Sequence, residues 1–342
     1  MMDSNPISPS LALLLVPLLC GACPSGPASE SESGDTEATG PAPTVTDTEP
    51  TPTADADGTA DDGSGTGPAP DPIAGECPLG ERVGNFDVIL EPAYSAINGE
   101  VREALVRATI DSIPAEEGEC WLLRRENPFC DPPCSGAEVC NADAACVPYP
   151  ARISVGTVTI TGLEVPVTIE PAADDRYFLT DLPHPAVAPG ATVELTADGI
   201  ALDGRGFPML SLTSPDLFIS EGMPLEVSWE AGDGEAVVRA EINIDQHGVS
   251  PATLMCDMPD TGSYSIPASI IDALIVSGTS GFPSAHFYRQ TIDSTQAPPG
   301  CVELRIRAHA EATVEVEGHI ACNGPADCPP GMVCNLPIQT CE

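Results

Sequence analysis

The chain has 342 residues with 52 acidic and 12 basic side chains, a formal net charge of −40, and every basic residue is an arginine. The absence of lysine excludes P-loop phosphate binding, Schiff-base chemistry and Ser-Lys catalysis, all of which need an amine, and so acidic a chain lacks the clustered cations that a nucleic-acid partner requires. Aromatic residues make up only 4%, thin for a stacking surface or a large enzyme pocket, while fourteen cysteines in a Pro- and Gly-rich chain point to an oxidising compartment.

Leu11 to Leu19 form an apolar run that ends at Cys20-Gly21-Ala22-Cys23. The run is too short to span a bilayer, which takes about 20 apolar residues, and fits the core of a secretory signal. A cysteine preceded by small residues at this place resembles the lipobox of bacterial lipoproteins. The resemblance implies a signal peptide over 1–23 and lipidation of Cys23, because Cys20 follows two leucines, which the processing peptidase tolerates poorly. Pro24 rather than Asp after Cys23 implies an outer-membrane destination. A plain cleaved signal peptide is the alternative reading.

Residues 24–76 contain no aromatic and no basic residue, but twelve acidic groups, nine prolines and eight glycines. Such a segment buries too little apolar surface to offset its ordering entropy, which predicts a disordered, charge-extended stalk. The acidic stretch Asp55 to Gly63 lacks the ligand spacing and the terminal Glu of an EF-hand, so weak ion condensation is its reading.

From Cys77 onward the texture changes to that of a folded body: all 14 aromatics and all 12 arginines lie there. Residues 77–129 read as a β-rich N-terminal lobe, with strands at Phe86–Leu90 and Gly99–Val101 and a tight turn at Asn98-Gly99; pattern alone leaves open whether these strands join the main sandwich or stand apart. A cysteine-rich module over 130–150 follows. Residues 151–320 show period-two alternation at 163–169, 193–195, 225–229 and 238–245, and without a break from Val302 to Glu317. Alternation of this kind means half-buried strands, the last of them long or folded into a hairpin. One helix is expected after Pro267, with Ile270, Ile271, Leu274 and Ile275 on one face and Gly278 as its stop. The fold class is therefore all-β, an antiparallel Ig-like β-sandwich with one short helix.

A second cysteine-rich module occupies 321–342. Its segment CPPGMVCNLPIQTC (328 to 341) repeats CSGAEVCNADAAC (134 to 146), with Val before and Asn after the middle cysteine. About twenty residues cannot form a hydrophobic core, so covalent or metal staples must hold each module. Zinc sites use closer Cys knuckles and some histidine, which favours disulfides. Spacing does not dictate connectivity; a crossed first-to-third, second-to-fourth pairing gives Cys130–Cys140, Cys134–Cys146, Cys322–Cys334 and Cys328–Cys341. By elimination, Cys77 pairs with Cys120 and Cys256 with Cys301.

The texture DCPPGMVCN around Asp327 to Asn335 resembles the cysteine-rich modules grouped with the Dickkopf N-terminal family in secreted bacterial proteins. The segments RENPFCDPPC (125 to 134), NIDQHG (243 to 248), CDMPDTGSYSIPA (256 to 268) and DSTQAPPGCVEL (293 to 304) make the body similar to a family of secreted lipoproteins from GC-rich predatory Gram-negative bacteria. The likeness implies a lipid-anchored envelope protein.

Chemistry-bearing patterns are sparse. Asn243, Asp245 and His247 share a strand face, and Asp245 with His247 is the one pair with the makings of a partial metal site; a solvated face ending in a turn is the alternative. Ser280, between Gly278 and Gly281 and near His286, lacks the strand–elbow–helix setting of a nucleophile and reads as a loop residue. Trp121 and Trp229 are candidates for a sugar platform or for core. His309, between Arg307 and Glu311, reads as a solvated strand face. The expectation is a non-catalytic, lipid-anchored envelope or surface protein with no cofactor and no metal, attached to the membrane and binding an extracellular protein or glycan. A secreted hydrolase or carbohydrate-binding accessory protein is the alternative.

Overall fold

A computed structural model describes residues 75–342, save positions 79, 106–107, 233 and 248–250. The expected signal segment over 1–23, with Cys20 and Cys23, and the expected stalk up to residue 74 lie outside the described residues. Gly75 and Glu76, counted with the stalk by composition, belong to the body: both Glu76 carboxylate oxygens accept hydrogen bonds from Arg239, at 3.1 and 3.0 Å.

The chain opens with β1 (Arg82–Leu90), β2 (Ser95–Val101), β3 (Ile110–Glu117) and β4 (Cys120–Glu126), and the first module holds β5 (Glu138–Cys140) and β6 (Cys146–Pro148). Then come β7 (Val158–Thr161), β8 (Val167–Ile169), β9 (Tyr177–Leu179), β10 (Thr192–Ala197), β11 (Ile200–Arg205) and β12 (Asp216–Ile219). β13 (Leu225–Ser228), β14 (Val237–Asn243), β15 (Ala252–Pro259) and β16 (Ser263–Ile266) lead into α1 (Ala268–Val276). The long β17 (Ser284–Ala297) and β18 (Gly300–Val316) follow, and β19 (Cys334–Asn335) and β20 (Thr340–Cys341) close the second module.

The strands form a sandwich-like body. A large sheet runs in the order β3-β4-β15-β14-β17-β18-β1-β2-β9, with β12 added to the far end of β18. A smaller sheet, β11-β10-β7-β8, covers its inner face. The two meet where Gly204 of β11 faces Ile306 of β18: a Cβ at Gly204 would stand 2.5 Å from the Ile306 Cδ1 atom. The edge of β11 is further tied down by Thr291, whose hydroxyl donates to the Arg205 carbonyl at 2.9 Å and accepts from its N–H at 3.3 Å. One continuous apolar core, including Phe86, Leu195, Ile242, Phe287 and Ile306, lies between the sheets.

Three points of the fold are decided here. First, β1–β4, which pattern alone leaves either in the sandwich or apart, join it: they supply strands of the large sheet, with β4 against β15 and β1 against β18. Second, the sheet is mixed, because β1 and β12 both run parallel to β18. The seventeen residues of β18 have room for β1 along 301–308 and β12 along 313–316 on the same side, and the long chain between these strands permits parallel crossovers. Third, Asn98-Gly99 is no turn but the middle of β2; the reversal lies at 91–94, closed by Glu91 N–H to the Tyr94 carbonyl at 2.9 Å. Gly99 is needed there because the Phe86 ring lies over it, 2.3 Å from where a Cβ would be.

The alternation at 302–317 is one unbroken strand, paired with β17 over its first fourteen positions. That at 163–169 is strand only over Val167–Ile169, since Gly162, at φ +80°, turns the chain just before it. The helix buries Ile270, Ile271 and Leu274 and ends at Ser277, with Gly278 at φ +117° beyond it.

The modules are crossed disulfide loops, Cys130–Cys140 with Cys134–Cys146 and Cys322–Cys334 with Cys328–Cys341. In the body the assignment by elimination is overturned: Cys77 joins Cys301, and Cys120 joins Cys256. The sheet order explains the exchange. Cys120 and Cys256 face each other across the β4–β15 ladder, and the chain entering β1 passes the start of β18, where Cys301 sits. Partners 224 and 136 residues apart follow from non-local strand pairing, not from proximity in sequence.

Candidate functional site

The inner face of the large sheet is consumed by the core, so chemistry is confined to its outer face. There the period-two alternation places polar side chains in registered rows. One row runs Trp121–Met255–Glu241–His286–Glu311 across β4, β15, β14, β17 and β18. The next runs Asp257–Arg239–Tyr288–His309.

At the β14–β15 end, Arg239 is clamped between two carboxylates. Its Nε donates to Asp257 Oδ1 at 2.7 Å and its Nη2 to Oδ2 at 2.8 Å, while Glu76 holds the other side of the guanidinium. Burial opposes the Arg239 charge, but its hydrogen bonds to Asp257 and Glu76 and the charges of these carboxylates outweigh it and hold its pKa above the ordinary value. Burial likewise works to raise the Glu76 carboxyl, yet the Arg239 hydrogen bonds and the charges of Arg239, Arg82 and Arg305 bring it below the usual carboxylate range. For Asp257 burial prevails and pushes the carboxyl up. A cleft of about 600 Å³ opens beside this clamp, with Trp121, Arg125, Arg239 and Arg305 among its walls. The guanidinium of Arg239 stands 5.9 Å from the Trp121 ring centre, so Trp121 is neither core nor a bare platform. Trp229 is core: it is buried and donates its indole N–H to Asp260 at 2.8 Å.

At the β17–β18 end the outer face carries a histidine pair. His286 Nδ1 lies 3.2 Å from His309 Nε2, and one Glu311 oxygen is 3.6 Å from the former and 3.8 Å from the latter. His309 Nδ1 is 2.8 Å from Glu91 Oε2, and the Tyr288 ring stacks on the His309 ring with centres 5.0 Å apart. His309 is thus an engaged side chain, not a solvated one. The signal for this cluster was present in the sequence as polar phases of two alternating segments; what it lacked was the β17–β18 register that sets His286 opposite Glu311 and Tyr288 opposite His309.

The sequence-derived metal pair is not brought together. The buried Asp245 accepts the hydroxyl proton of Ser280, whereas the His247 ring turns away to Gln339 Oε1, 2.7 Å from its Nε2. Ser280 also accepts the His247 N–H at 3.1 Å. These residues form a latch. The loop after α1 is pinned to the end of β14, and with Gly281 N–H bonded to the Ile338 carbonyl at 2.8 Å it docks the second module on the body. Two triads of cysteine sulfurs, Cys130/Cys134/Cys140 and Cys322/Cys328/Cys341, lie close enough to share an ion, but every one of these sulfurs is in a disulfide and has no thiolate to offer.

The fold and this face define a disulfide-braced, sandwich-like β body with an acidic, ion-paired outer sheet. No family model and no curated protein matches the chain. Among solved structures it is similar to a tetra-tandem repeat in the extending region of a large adhesion protein, at 14% identity and a TM-score of 0.16, over 70% of this chain and 76% of that one.

Proposed function

We propose that the protein is a non-catalytic envelope protein, anchored through lipid on Cys23 and displaying its β body on the 24–74 stalk to an extracellular protein or glycan. The observation that carries this reading is the complete pairing of the twelve cysteines from Cys77 onward into six disulfides. Such a framework belongs to an oxidising compartment outside the cytoplasm. The lipobox-like Cys23 and the likeness to secreted lipoproteins with Dickkopf-type modules supply the anchor and the outer-membrane destination. The ion pairing supports the non-catalytic part: Arg239 and Arg305 are each held by carboxylates, and Ser280 is tied into a structural latch.

The test is labelling with radioactive palmitate, followed by fractionation. The parent chain is expected to incorporate label and to sediment with membranes, and Cys23→Ser to lose both. Label retained in Cys23→Ser, or membrane association unchanged without it, overturns the anchor. Capture of a partner from native envelopes by the parent chain, lost when the outer face is altered at Trp121 and Arg125, is the expected sign of a binding role.

A further inference from the structure

We propose that His286 Nδ1, His309 Nε2 and a Glu311 carboxylate oxygen form a binding site for a divalent transition cation of the zinc class. The three donor atoms make a triangle with edges of 3.2, 3.6 and 3.8 Å. Donors bonded to a tetrahedral zinc at about 2.1 Å stand about 3.4 Å apart, and a point equidistant from these three lies about 2.1 Å from each, the length of a zinc–imidazole or zinc–carboxylate bond.

A second observation points the same way. A metal-ligating histidine characteristically gives its other ring N–H to a carboxylate, which fixes the tautomer and raises the basicity of the ligating nitrogen. His309 has that arrangement: its Nδ1 is bonded to Glu91 at 2.8 Å, which leaves the Nε2 lone pair facing His286 and Glu311. Tyr288, stacked on His309, holds the ring in plane. His286 serves by carrying its own proton on Nε2 and turning the Nδ1 lone pair inward. The neighbouring Arg307 is drawn off by Asp87 at 3.5 Å and sits over the Tyr288 ring, whereas Glu91, Glu241 and Glu311 give the spot a negative field. Two imidazoles and one carboxylate suit zinc, nickel, cobalt or copper(II) rather than calcium or magnesium, which take oxygen ligands. Glu311 is 68% and His286 38% exposed, so a fourth position opens outward, to water or to a ligand group from another molecule.

The experiment is calorimetric titration of the metal-stripped full chain with zinc alone, with magnesium as the control. One equivalent of zinc is expected to bind above the background of the acidic surface, and magnesium to give only that background. His286→Ala and His309→Ala are expected to weaken this event at least 100-fold, and Glu91→Gln by about 10- to 100-fold at unchanged stoichiometry. Cobalt titration provides a second reading: ligand-field absorption of a low-coordinate ion is expected for the parent chain and not for His286→Ala. His286 is partly exposed on the outer face of β17, so His286→Ala decides the matter even if His309→Ala does not fold. Zinc that binds His286→Ala as tightly as the parent chain, or no zinc event above the magnesium background, overturns the proposal.

Discussion

Glu76 shows how one side chain ties the start of the body to its sheet. Its carboxylate takes two hydrogen bonds from Arg239, and Arg82 and Arg305 add their charge; together these outweigh burial and lower its pKa in the folded state. A group whose folded pKa is depressed contributes stability that is fully present above its unfolded value, near 4.3, and is lost as pH falls through the folded value. Asp257 acts in the opposite sense, since burial raises its pKa. The expected outcome is that Glu76→Gln is less stable than the parent chain in urea at pH 6, and that the difference shrinks towards zero as pH drops below about 4. A difference that stays constant across that range sinks the assignment. Deeper inside, Arg289 is fully buried beside Asp260, with Nε 2.9 Å from Oδ2, off the line of a hydrogen bond. Its remaining donors reach Asp260 Oδ1 and the carbonyls of Pro208, Met209 and Glu230. An arginine on the apolar phase of β17 breaks the alternation rule, and nothing in its sequence neighbourhood names Asp260 or three loop carbonyls as its partners.

The strands were legible wherever the alternation was clean. Val302 to Glu317 and Val238 to Ile244 announce β18 and β14 because each has one face on the core and one on water, and Pro267 with Gly278 brackets α1. What could not be read was pairing. A strand's pattern says which face is buried, not which neighbour it meets, so the β1–β18 and β4–β15 ladders, and the two disulfides that cross-link them, escaped notice. The histidine cluster escaped for the same reason. Gly99 is the instructive local failure: Asn-Gly is a strong turn signal, but here glycine serves contact, giving the Phe86 ring a place on the β2 backbone. A methyl at 99 must displace that ring, and overpacking of a close-packed core costs about 1–3 kcal/mol. Gly99→Ala is therefore expected to lose stability of that order in chemical denaturation, and Phe86→Leu in the same chain to recover part of the loss. A simple sum of the two single effects overturns this account, because residues in contact must couple.

At the scale of the molecule, the protein is stabilised in two different ways at once. The sandwich has a large continuous core that takes in Cys120 and Cys256, and both of its disulfides are buried: Cys120, Cys256 and Cys301 are at most 1% exposed and Cys77 4%. Each closes a loop of more than 130 residues, which on a chain-entropy argument destabilises the unfolded state by about 5 kcal/mol. The modules have no such core. The buried cluster of the second consists of Cys322, Cys334 and Cys341, with Cys328 and Met332 against it, and in the first only Cys130 is buried among the cysteines. Attack by a thiolate requires access to sulfur, so the two classes should separate in time. On titration with a mild reductant at neutral pH, followed by alkylation and mass mapping, Cys134–Cys146 and Cys130–Cys140 are expected to open first and Cys328–Cys341 with them, while Cys77–Cys301 and Cys120–Cys256 remain closed until the sandwich unfolds. Amide exchange should show the same order: fast exchange in 130–148 and 322–342 after the first step, with β14, β17 and β18 still protected. Simultaneous reduction of all six bonds would mean that the modules and the sandwich unfold as one unit. In that case the latch of Asp245, Ser280, His247 and Gln339 would couple the second module to the body strongly enough to override the difference in their cores.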